Sequence, residues 1–169
     1  MANLIQKGNK ILRQKAQKVK REEVLSVHIK NLLKDMKDVL DQEKDGFAIA
    51  APQIGESVRV FLVSGLLSQH LKKTSEPQPY GVYINPVIIK KSKETELMEE
   101  GCLSVRWWYG KVERNKKVKI EATNEKGERF QEGASGLKAQ VFQHEIDHLD
   151  GVLFTDKAVE LERVNPSNE

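Results

Sequence analysis

Residues 144 to 148 read His-Glu-Ile-Asp-His, inside an apolar-periodic run from Leu137 to Leu149 that predicts a helix. At roughly 100° per residue, His148 falls about 40° round from His144 and one turn further on, so a single helix face carries both imidazoles. Leu137 and Val141 share that face. Ala139, Phe142, Ile146 and Leu149 form a second apolar face, leaving Gln140, Gln143 and Asp147 as a polar strip. A helix apolar on two sides belongs in the middle of a fold, and buried imidazoles need partners. The pattern therefore predicts a central helix and, on it, a divalent metal ion gripped by His144 and His148, with Glu145 beside the open position as a proton carrier.

Two histidines need a third protein ligand. Beyond His148 the chain has no further histidine, and Glu160 and Glu162 sit in a short polar tail. Upstream, the only cysteine is Cys102, within Glu100-Gly101-Cys102-Leu103-Ser104. A thiolate with two imidazoles leaves one position for water, as an open catalytic site requires. Taken alone a free cysteine is more often a small core residue, and it is the histidine pair that changes the reading. A third segment, Gly46 to Gly55, is a run of small and apolar residues with one side-chain amide, Gln53. Such a stretch allows close backbone approach, and Gln53 is a donor suited to a developing oxyanion.

In their order along the chain, Gly46 to Gln53, Glu100 to Ser104 and Gln143 to His148 closely resemble the three motifs of the peptide deformylases. The likeness extends through the flanks Ile11-Leu12-Arg13, Tyr83-Ile84-Asn85-Pro86 and Leu149 to Phe154, and spans about residues 3 to 155. It implies metal-dependent removal of the N-formyl group from the terminal methionine of newly made polypeptides, releasing formate. It further implies Cys102, His144 and His148 as metal ligands, Glu145 as the catalytic acid and base, and Gln53 with the backbone N–H of Leu103 as oxyanion donors. Glu100, Arg114 and Asp147 are then supporting residues, with Arg114 the partner of Asp147. Gly46, Ile49, Arg106, Trp107, Trp108 and Tyr109 are expected to bind substrate. The metal is expected to be ferrous iron in the cell, although thiolate and imidazoles also suit Zn²⁺, Ni²⁺ or Co²⁺. Two rival readings stay open: a non-catalytic deformylase-like metal-binding protein, and a zincin-type peptidase that would not need Cys102.

Two departures from the family pattern stand out. Ala48 replaces a usual glycine, which matters only where the backbone needs a positive φ or a near contact. Arg106-Trp107-Trp108 replaces a Pro-Gly-Val-like stretch, which removes a rigid turn and adds bulk beside the expected cleft. Arg106 would there be free to engage a peptide carbonyl or an acidic side chain.

The rest of the chain reads as one domain, residues 1–169, of α+β class, with antiparallel sheets packed around the central motif helix. Ser26 to Glu43 predicts an amphipathic helix that buries Ile29, Leu32, Leu33, Met36, Val39 and Leu40. Val58 to Val63, Val82 to Lys90, Val118 to Thr123 and Glu128 to Gln131 predict strands, and 68–79 an exposed loop. One cysteine allows no intrachain disulfide, and no apolar run suggests a signal peptide or membrane span, so a cytoplasmic protein is expected; a monomer is expected as well. Residues 1–21 carry seven basic residues and no acid, while the remainder carries 21 basic against 25 acidic. Ile5, Ile11, Leu12, Ala16 and Val19 predict that this arm packs on the body with its lysines in water. The resemblance adds a transient contact with the ribosome. Thr155 to Glu169, with two basic and four acidic residues, is expected to repel RNA and contribute nothing to such a contact.

Overall fold

The computed structural model describes residues 2–43 and 45–164. Helix α1 (Val27–Gln42) starts where Ser26 Oγ accepts the N–H of Ile29 at 3.2 Å, and it buries the six apolar residues expected of it. Strands β1 (Ala48–Ala50), β2 (Val60–Val63) and β3 (Gly81–Lys91) join β6 (Lys117–Thr123) and β7 (Arg129–Ser135) in one antiparallel sheet, ordered β1-β2-β3-β6-β7. Strands β4 (Thr95–Gly101), β5 (Trp108–Asn115) and β8 (Val159–Arg163) form a second antiparallel sheet, ordered β4-β5-β8. The motif helix α3 spans Gly136–Leu149.

Alternation along the short strands decides which helix sits where. Ala48, Ala50, Phe61 and Val63 point to α3 and its Ala139, Phe142 and Ile146, while Ile49, Val60 and Leu62 point the other way, to Leu32, Met36 and Leu40 of α1. The larger sheet is thus covered by a helix on each face. A third apolar cluster, Leu12, Val105, Val112, Leu153 and Phe154, closes the smaller sheet against the N-terminal arm. In that arm Leu12, Ala16 and Val19 are buried and the lysines are exposed, as expected.

Several expectations need correction. Residues 68–79 are not all loop: a short helix, α2 (Gly65–Lys72), is capped by Ser64 and starts at Gly65, where an added Cβ would come within 2.0 Å of the Gln78 carbonyl oxygen. The return strand of the β6–β7 hairpin runs on to Ser135, and β1, β4, β5 and β8 were not foreseen. The polar strip of α3 is buried too. Gln143 Nε2 donates to the carbonyls of Asn115 (3.0 Å) and Ala139 (2.9 Å), its Oε1 accepts the Asn115 N–H (3.0 Å), and Gln140 Nε2 donates to the Glu99 carbonyl (2.7 Å). These amides stitch α3 to the second sheet, while Asp147, the third residue of the strip, is half-buried. The acidic tail is partly structural, since β8 pairs with β5; residues 165–169 lie outside the described part. No helix among the described residues is long and apolar enough to cross a membrane.

Candidate metal centre

Helix α3 presents His144 and His148 one turn apart, with ring centroids 4.9 Å apart and planes at 74°. Strand β4 ends at Gly101 and delivers Cys102 to the same place, its Sγ 3.2 Å from His148 Nε2. One ligand atom from each of the three residues lies within 4.8 Å of the others, and no other such group of His, Cys, Asp and Glu occurs among the described residues. Burial works against a thiolate at Cys102, but the two imidazoles outweigh it and lower the thiol to about 5. Two buried polar atoms, Glu145 Oε2 and His148 Nδ1, have no hydrogen-bond partner. Donor types, spacing and an unpartnered carboxylate oxygen beside them fit one divalent ion with a water at its side.

A chain of charges supports the ligands from beneath. His144 Nδ1 lies 2.9 Å from Glu100 Oε2, which leaves its Nε2 for the centre. Glu100 is gripped by Arg114 through both oxygens, at 2.6 and 2.9 Å, and Arg114 Nη1 reaches Asp147 at 2.6 Å. Lys157 holds Asp147 from outside at 2.8 Å. Burial would raise the Glu100 carboxyl, yet the bonds from Arg114 and His144 hold it at about 2. Asp147 is therefore the partner of Arg114, as the resemblance implied, while the grip of Arg114 on Glu100 was not anticipated. Glu145 differs in kind: burial lifts its carboxyl to about 7 against the pull of both histidines.

Gln53 sits at the other side of the cysteine. Its Oε1 accepts the Ala50 N–H at 2.8 Å, which turns Nε2 toward Ser104 Oγ (3.1 Å) and Cys102 Sγ (3.7 Å). Ser104, fully buried, is an orienting residue that sequence reasoning passed over; its place two residues after the cysteine was the available signal.

A cavity of about 530 Å³ opens over these groups. Cys102, His144 and Glu145 line its floor, Gly46, Phe47, Leu137 and Val141 its walls, and Asp45, Arg106, Trp107, Trp108 and Tyr109 its mouth. Gly46 packs tightly there: an added Cβ would come within 2.8 Å of the end of the Leu40 side chain and 3.1 Å of that of Leu103, and both would have to shift. Ile49 does not line the cavity. Strand alternation turns its side chain into the core under α1, fully buried, and Ala48 lines the cavity instead. Ala48 lies in β1 and is not among the residues with positive φ, so its methyl group imposes no strain. Trp107, by contrast, has φ +70°, a left-handed conformation rare for a bulky residue. The guanidinium of Arg106 is not free for a peptide, because it already binds Asp45 at 3.1 Å and also Glu43.

Comparison with known proteins gives concordant matches. The family profile described as polypeptide deformylase matches residues 1–164. Peptide deformylase 2 of Clostridium acetobutylicum is 41% identical over 152 residues, covering 90% of this chain and 91% of its own. Among solved structures, a class I type b peptide deformylase from Acinetobacter baumannii bound to Met-Ala-Ser superposes with a TM-score of 0.82 at 34% identity, covering 93% of this chain and 98% of that one. The peptide deformylase of Synechococcus elongatus in complex with actinonin gives 0.80 at 32% identity, covering 94% and 79%.

Proposed function

Because the chain belongs to the polypeptide deformylase family, whose members are metal-dependent hydrolases, we propose how its own residues remove the formyl group from newly made peptides. The observation that carries the reading is the unpartnered, buried Oε2 of Glu145 beside the group of Cys102, His144 and His148, of which Cys102 and His144 line the cavity.

Cys102, His144 and His148 would hold the ion, which when bound supplies a Lewis acid for a carbonyl and lowers the pKa of water. The methionine side chain enters between Gly46, Leu137 and Val141, and the formamide faces Glu145. Glu145 takes a proton as water oxygen bonds to the formyl carbon. The carbonyl oxygen gains negative charge and receives hydrogen bonds from Gln53 Nε2 and the backbone N–H of Leu103. As the C–N bond breaks, Glu145 returns the proton to nitrogen, because an amine leaves poorly unless protonated. Formate and a peptide with a free amino terminus result. Glu100, Arg114 and Asp147 orient His144 and keep its Nε2 toward the ion. Arg106, Trp107, Trp108 and Tyr109 form the mouth through which the peptide leaves.

We further propose Fe²⁺ as the ion in the cell, with Zn²⁺, Ni²⁺ or Co²⁺ able to replace it, since the donor set suits all four. The chain acts as one catalytic domain over 1–169, a cytoplasmic monomer that meets nascent chains in transient contact with the ribosome. The test is an anaerobic assay of formate release from formyl-Met peptides after reconstitution with each metal. Formate release that depends on added metal and is highest with Fe²⁺ is expected. Metal binding without formate release under any of the four would overturn the catalytic reading.

A further inference from the structure

Arg106 and Trp107 are built in a way that hydrolysis itself does not require. From the segment just after the cysteine motif, the Arg106 guanidinium crosses the cavity mouth to Asp45 (3.1 Å) and Glu43, the residues that lead into Gly46. One side chain thus ties together the two walls between which a peptide must leave. Arg106 is only 26% exposed, and its guanidinium lies 5.9 Å from the centroid of the Trp107 ring. That indole reaches the mouth from a backbone at φ +70°, a conformation held against its own preference. Three charges meet here and sum to −1, with Asp45 64% exposed and Glu99 also exposed at the cavity edge.

We propose that Arg106 with Glu43 and Asp45 is a specificity clamp: it consumes the only positive charge among the described residues that line the cavity and leaves the indoles to select. Peptides whose residue after formyl-methionine is aromatic or apolar are preferred, and those with an acidic residue there are rejected. The proposal rests on the deformylase reading above. It reverses the simpler idea that Arg106 binds an acidic substrate side chain, and the two ideas predict opposite responses to mutation.

The experiment compares wild type, Arg106→Gln and Glu43→Gln/Asp45→Asn in their kcat/KM for formyl-Met-Phe-Ser and formyl-Met-Asp-Ser, with metal loaded. The clamp predicts that wild type favours the Phe peptide by about tenfold or more. Neutralising the two acids frees Arg106 and should shrink that ratio by about fivefold, whereas Arg106→Gln leaves two unpaired carboxylates and should widen it. A wild-type preference for the Asp peptide that Arg106→Gln abolishes would overturn the proposal, as would a ratio unchanged in Glu43→Gln/Asp45→Asn. A second measurement does not depend on turnover. Both tryptophans of the chain line the cavity, so binding of unformylated Met-Phe-Ser and Met-Asp-Ser is read by their fluorescence. If no peptide releases formate the deformylase reading fails, and the clamp is then judged by binding: tighter Met-Phe-Ser supports it, and equal affinity of wild type for both overturns it.

Discussion

Two arginines in this molecule do the same thing in different surroundings. Arg114 joins Glu100 to Asp147 beneath the metal ligands with its side chain 3% exposed, and Arg106 joins Glu43 to Asp45 at the cavity mouth with its side chain 26% exposed. Beneath the ligands, water cannot replace a lost partner, so the network is rigid and its removal is costly. At the mouth, water can replace it, so the pair adds little stability, and in the clamp proposed above its value lies in the charge it hides from substrate. The network beneath the candidate metal centre is therefore fixed by buried electrostatics, and the one at the mouth is free to vary.

The comparison breaks most severely if the cysteine is dispensable. Cys102→Ala is expected to lose bound metal and all measurable formate release, and chelation of the wild type should lower its unfolding temperature, since the ion binds only the native state. A zincin-type peptidase would keep metal and turnover in this variant, so metal analysis alone separates the two. Next in size, Arg114→Ala leaves Glu100 buried without its counter-charge, and urea unfolding should show a loss of about 3–5 kcal/mol. At Trp107 the positive φ predicts an unusual order: Trp107→Gly should be more stable than Trp107→Ala by about 1 kcal/mol, because only glycine is at ease in the left-handed region. The reverse order would show that the turn relaxes when the indole is removed. Smallest of all, Arg106→Gln should cost under about 1 kcal/mol in the same unfolding experiment. A loss as large as that of Arg114→Ala would erase the distinction between the two arginines.

What the sequence discloses of this molecule follows the range of the interactions. Helix α1 is legible to within a residue because cap, period and length are local and agree. Strand β4, Thr95–Gly101, is not: it carries Glu96, Glu99 and Glu100 and little β-branched character, and only pairing with β5 makes it a strand. Helix α2 is eight residues long, too short for a periodic signal, and its place is set by Gln78 against Gly65. At the site, His144, Glu145 and His148 declare themselves within five residues. Cys102 and Gln53 acquire meaning only beside them. The engagement of Arg106 joins residues 61 and 63 positions apart, and no local pattern announces it. Gln140 and Gln143 were readable as polar and not as buried, since their partners are backbone groups of strands that were themselves unread.

The central claim is that Glu145 moves the proton while the three ligands hold the ion, and Glu145→Gln tests it most directly. The substitution keeps shape and removes only the titrating oxygen of a buried side chain, so metal content and unfolding midpoint should match wild type. Formate release from a formyl-Met peptide, measured anaerobically on the metal-loaded variant, should fall by about 10²- to 10⁴-fold. Release near the wild-type rate in a fully metal-loaded Glu145→Gln protein would contradict the account.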